Sequence, residues 1–223
     1  MKFKVEEILL VATLYDSFIM EQEGDLGDVV YGEYHQLNLS SAPRITTAYT
    51  HKDALKKLDT GKFDMIIIMV GIDFQESIQL SLNIKELDLG IPTTFLFNNN
   101  TVYAAFCEKN DPFDHADHAF VWNGDTAIFL AMIKLVEDRA NADNDTGLGM
   151  VRVVLLVEDS IRYYSRYLPV LYSEIMRQTS RLIEAEHSDS RKLLRMRARP
   201  KVLITRSYEE AVELFEKYRE YLL

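Results

Sequence analysis

Residues 154–159 read Val-Leu-Leu-Val-Glu-Asp, and residues 8–13 read Ile-Leu-Leu-Val-Ala-Thr. Both are short apolar runs of the kind that form buried strands. One run ends in adjacent acids, Glu158 and Asp159, and the other in the uncharged Ala12 and Thr13. Open parallel sheets bind ligands outside the carboxyl ends of their strands, and hard cations take carboxylate oxygens. Glu158 and Asp159 are therefore candidate Mg²⁺ ligands. The plainer alternative is a solvated strand end, where Asp159 caps the next helix. The chain reads as two copies of one module, one of which lacks the metal site.

Outward from these runs, the first half alternates strands and helices. Strands are predicted at 8–14, 44–48, 65–70, 92–97 and 119–122, and helices near 17–37, 51–60, 75–87, 101–109 and 125–140. That alternation implies an α/β fold with a doubly wound, five-stranded parallel sheet. Thr50 followed by Asp53 resembles a helix N-terminal cap. The stretch Asn141-Ala-Asp-Asn-Asp-Thr-Gly-Leu-Gly149 is polar and acidic, so 141–150 is expected to be a linker between a domain at 1–140 and a second at 151–223.

The second half restarts the pattern with a strand at 152–157, a long helix from about 160 to 196, a strand at 201–205 and a helix capped by Ser207 and Glu210. Val11 overlays Val157 at an offset of 146, and Thr50-His-Lys-Asp-Ala-Leu overlays Ser207-Tyr-Glu-Glu-Ala-Val at an offset of 157. The 11-residue difference is about three helical turns, placed in the second copy's first helix. On this overlay the second copy's third strand begins near residue 222. The second domain is then incomplete, and the chain is expected to be a fragment of a longer protein or to be completed by another chain.

Composition narrows the possibilities. The 223 residues are 48% hydrophobic, and the longest apolar runs are far too short to span a bilayer. No secretory signal pattern opens the chain. A single cysteine, Cys107, excludes an intrachain disulfide framework and suits a reducing cytoplasm. The net charge of −10 divides into −13 over residues 1–150 and +3 over 151–223, which argues against general nucleic-acid affinity.

The order of these elements and motifs resembles the response-regulator receiver domain of two-component signalling. Val-Leu-Leu-Val-Glu-Asp-Ser at 154–160 matches that family's first strand, and Thr50-x-x-Asp-Ala-Leu and Ser207-x-x-Glu-Ala-Val look like its second helix start. The resemblance implies a receiver or flavodoxin-like fold over 1–140, followed by the N-terminal part of a second such domain. It also implies phosphoryl transfer from a sensor histidine kinase or phosphotransfer protein to an Asp, with Mg²⁺ neutralising charge. The first copy departs from the family at each site position. Ala12 and Thr13 replace the acidic pair, Met69 stands at the phosphoacceptor position, Phe97 at the hydroxyl position, and Trp122 at the Lys position. A thioether neither attacks phosphate here nor binds Mg²⁺ well. Residues 1–140 are thus expected to be a pseudo-receiver without phosphorylation, and Mg²⁺ to bind only in the second domain through Glu158 and Asp159. Asp16 and Asp73 lie close by in sequence, but solvent-facing loop acids are the expectation for both.

Three further features carry weaker readings. His115 and His118 sit three apart among acids, which reads as a polar loop before a metal site. Arg191, Lys192, Arg195, Arg197, Arg199 and Lys201 read as a solvated helix end or as a partner of the acidic first half, with nucleic acid the lesser alternative. Tyr163, Tyr164, Tyr167, Leu168, Leu171, Tyr172, Ile175 and Met176 recur at helical spacing. They read as core, with a homodimer or partner-facing helix at 161–183 as the alternative. No phosphate-binding loop or nucleophile motif is present, so no enzymatic activity is expected within these residues. The functional expectation is a cytoplasmic phosphorelay receiver module. The alternatives are an interaction scaffold without phosphotransfer and the regulatory N-terminal region of a larger enzyme.

Overall fold

A computed structural model describes residues 2–14, 16, 30–32, 42–149, 151–184 and 199–223. Most of the helix expected at 17–37 lies outside them, as do residues 185–198 of the long second-half helix.

The first unit is a parallel sheet of β1 (Glu7–Val11), β2 (Arg44–Ala48), β3 (Met65–Val70), β4 (Thr93–Phe97) and β5 (His118–Val121), in the order β2-β1-β3-β4-β5. This is the flavodoxin-like order. The helices between its strands are α1 (His51–Thr60), α2 (Phe74–Glu86) and α3 (Asn100–Cys107). β3 and β4 are buried at every position, as parallel strands with both faces covered must be. Each expected strand and helix described here falls within a few residues of its predicted place. The cap read at Thr50 is present, with its hydroxyl accepting from the Asp53 N–H at 3.2 Å.

The second unit is built on α4 (Ala127–Leu148), β6 (Val153–Val157), α5 (Ile161–Glu184), β7 (Lys201–Thr205) and α6 (Tyr208–Tyr218). β6 and β7 pair in parallel from Val153↔Lys201 to Val157↔Thr205. On the other side of β6, Leu222 forms a parallel bridge to Val153, where the overlay puts the start of a third strand. The order β7-β6-Leu222 thus repeats β2-β1-β3. α5 turns Ile161, Tyr164, Leu168, Tyr172 and Met176 into the core, while Tyr163, Val170 and Leu182 are exposed. Pro169 lies inside α5, and the helix continues past it.

The expected linker at 141–150 is corrected. α4 runs through Leu148, and Asn141, Ala142, Asp145 and Thr146 are buried. Polar composition there reflects buried polar partners rather than solvent. The Asn141 Oδ1 accepts from the Lys2 and Phe3 N–H groups at 2.8 Å each, and its Nδ2 donates to the Phe3 and Glu137 carbonyls. α4, expected to close the first domain, groups with β6 and β7.

A buried ionic network joins α4 to β7. Asp138 accepts two bonds from the Arg199 guanidinium, at 3.0 and 2.5 Å, and a third from the Val202 N–H at 2.9 Å. Lys201 pairs with Asp145 at 2.8 Å, and Lys134 with Glu137 at 2.7 Å. Three cations meet three anions, so the buried charge balances. Burial pushes the Lys134 ammonium below its ordinary value against the pull of Glu137, and pushes the Tyr172 phenol well up beside Asp138.

At the surface of this unit, Asp143 on α4 accepts from Lys217 and from the Tyr218 hydroxyl on α6, at 2.9 and 2.6 Å. These bonds, Lys217 first, hold its carboxyl below the ordinary value of 3.8. A depressed carboxyl contributes stability above that value, which is lost as pH falls through the folded one. Loosening of α6 on α4 is therefore expected to begin as pH drops below 3.8. The Tyr218 ring resonances report it, and Asp143→Asn should remove this component of the pH dependence.

Candidate functional site

Five strand ends converge at the carboxyl edge of the β1–β5 sheet. β1 sits between β2 and β3, so the strand order reverses at β1/β3, the switch point where such sheets have their crevice. The crevice is a cleft of about 500 Å³, and Ala12, Thr13, Met69 and Trp122 line it. Four positions singled out from the sequence are thus brought together. The fifth, Phe97, is not among them. It is fully buried, with its ring edge-on to Tyr103 and Phe106 at 5.3 and 5.2 Å. The following residue, Asn98, lines the cleft instead, its N–H bonded to the Val70 carbonyl at 3.2 Å.

Asp16 overturns its expectation. It is only 7% exposed and lines the cleft. The Thr13 hydroxyl donates to its Oδ2 at 2.6 Å, and the Asn98 Nδ2 to its Oδ1 at 2.6 Å. The Asp16 N–H returns a bond to the Thr13 hydroxyl at 3.1 Å. Thr13-x-x-Asp16 has the spacing of a capping motif, which is the sequence signal that could have found it. Asp73 is exposed at the rim, as expected. His51, Glu76 and Ser77 also line the cleft, and no motif or spacing placed them there. No Lys or Arg is among the described residues that line it, where the carboxylates are Asp16, Asp73 and Glu76.

At the end of β6, the Glu158 N–H bonds the Thr205 carbonyl at 2.9 Å, and its Oε1 accepts from the Ser160 N–H at 2.9 Å. Glu158 is half-buried and Asp159 exposed. Burial and the Glu158 charge push the Tyr167 phenol up to about 12. No group of three or more His, Cys, Asp or Glu able to hold a metal gathers among the described residues. Glu158 and Asp159 therefore stand as a pair, which is compatible with Mg²⁺, an ion that keeps several waters and takes one or two carboxylates.

The other candidates resolve locally. His115 stacks on Phe95 at 6.4 Å and meets Phe106 edge-on, and its carbonyl accepts from the Ser81 hydroxyl. His118 opens β5. Arg199 and Lys201 pair with Asp138 and Asp145, so for these two the partner is the acidic first half. Arg191, Lys192, Arg195 and Arg197 lie outside the described residues. No helix among the described residues is long and apolar enough to cross a membrane.

No family model, curated protein or solved structure matches this chain.

Proposed function

We propose that the β1–β5 unit is a receiver-like module that keeps the fold of its family without the phosphoryl-transfer chemistry, and serves as an interaction surface in cytoplasmic two-component signalling. One observation carries this reading. A sheet of order β2-β1-β3-β4-β5 has its cleft lined by Ala12, Thr13, Met69 and Trp122, where a working site needs carboxylates and a Lys. At those positions there is no nucleophile, acidic pair or ammonium to stabilise a transferring phosphoryl group, and the carboxylates of Asp16, Asp73 and Glu76 stand elsewhere in the cleft. The second unit is proposed to be receiver-like in its opening elements, with Mg²⁺ held by Glu158 and Asp159. The repeat of the β2-β1-β3 order as β7-β6-Leu222 supports it. Its partners would be a sensor histidine kinase or phosphotransfer protein, with the exposed Tyr163 and Val170 of α5 available for a homodimer or another protein.

The test is incubation with acetyl phosphate and Mg²⁺, followed by intact-mass and peptide mapping. No phosphoryl adduct is expected within residues 5–126. An adduct on Asp16 or Asp73 would overturn the reading by showing a displaced acceptor.

A further inference from the structure

Asp16 holds an unusual position. Its carboxylate is buried, its hydrogen-bond donors are a neutral hydroxyl, Thr13, and a neutral amide, Asn98, and it meets no cation among the described residues. An ionised carboxylate out of water is costly unless a positive charge answers it. In the same cleft the Asn98 Oδ1 and the His51 Nε2 have no hydrogen-bond partner among the described residues. Asp73 and Glu76 add negative charge at the mouth, with no Lys or Arg among the described lining residues to offset it. Trp122 and Tyr49 are also among the lining residues, and aromatic side chains favour cations at their ring faces.

We propose that this cleft binds a small organic cation, its ammonium or guanidinium group seated against Asp16. A phosphate or carboxylate ligand would meet three acids, Asp16, Asp73 and Glu76, and His51 as the sole basic side chain among the described lining residues. Mg²⁺, which takes one or two carboxylates and keeps its waters, is the competing occupant that the titration below separates from an organic cation. An ammonium donates hydrogen bonds to whatever acceptors it meets. The volume of about 500 Å³ suits a small molecule. The inference stands apart from the phosphotransfer reading, because a cleft can bind an amine whether or not it ever carried a phosphoryl group.

Trp122 is the chain's sole tryptophan and lines the cleft, so its fluorescence reports occupancy directly. The full chain would be titrated with butylammonium chloride and with butylguanidinium chloride, at ionic strength matched by sodium chloride. Sodium phosphate and magnesium chloride would be titrated in parallel. A saturable response to the organic cations alone is expected. Asp16→Asn should weaken it roughly tenfold or more, as loss of a buried charge partner does. The exposed rim variant Asp73→Asn, which leaves the buried hydrogen bonds in place, should weaken it about twofold through lost long-range attraction. No saturable response, saturation by phosphate or Mg²⁺, or indifference to both substitutions would each overturn the proposal. An absent amine response together with absent acetyl-phosphate labelling would overturn this inference alone and leave the proposed function standing.

Discussion

Replacing Asp138 with Ala is expected to destabilise the α4–β7 unit by about 3–5 kcal/mol, among the largest effects of any single substitution in the chain. Asp138 is fully buried and is the anion that Arg199 pairs with. Without it, the guanidinium keeps, among the described residues, a 3.3 Å bond to the Pro200 carbonyl. Arg199 cannot relieve that burial by losing its proton, because a guanidinium stays charged. The Val202 N–H also loses its carboxylate acceptor, and an orphaned buried donor adds to the cost. Lys201 is less affected, since it keeps Asp145 at 2.8 Å against 3.9 Å to Asp138. The double substitution Asp138→Leu with Arg199→Met should recover most of the loss, because removing both charges removes the desolvation they impose. Urea unfolding with hydrogen exchange on α4 and β7 peptides reads both effects. A loss under about 1 kcal/mol would place the pair with surface ion pairs and refute the argument.

How far the sequence announced this molecule differs from element to element. β3 and β4 were legible because Met-Ile-Ile-Ile-Met-Val and Thr-Thr-Phe-Leu-Phe are compact apolar runs, and parallel strands buried on both faces leave that trace. The third-strand position at Leu222 was legible for a different reason. The offset between the two apolar runs and the two helix starts pointed to residue 222, and the parallel bridge of Leu222 to Val153 falls there. Polar stretches misled, because composition does not distinguish a group facing water from one facing a buried partner. Asn141, Asp145 and Thr146 read as linker, yet they sit in a buried helix and are hydrogen-bonded or ion-paired there. Asp16 read as a loop acid, yet Thr13 and Asn98 hold it inside the cleft. Asn98 lies 82 residues from Asp16, and a contact of that range leaves no local pattern to find.

Phe97→Thr is the substitution that would restore the hydroxyl that the receiver resemblance calls for at the end of β4, and it is expected to cost about 3–5 kcal/mol without creating a phosphoacceptor site. The Phe97 side chain does not face the cleft. Its ring packs edge-on to Tyr103, Phe106 and Phe95, and Phe106 in turn meets Phe74, Phe95 and His115. Threonine would leave a cavity in that aromatic cluster and bury a hydroxyl beside rings that offer it no acceptor. Thermal unfolding should show the loss, while the acetyl-phosphate assay should stay as blank as for the unsubstituted chain. The conservative Phe97→Leu, which removes ring contacts but adds no polar group, should cost about half as much. If Phe97→Thr were neutral, the β4 end would be loosely packed and its side chain free to turn toward the cleft. A costly Phe97→Thr means instead that the fold is committed to its present site, because the hydroxyl position has been absorbed into the core and Asn98 holds the cleft in its place.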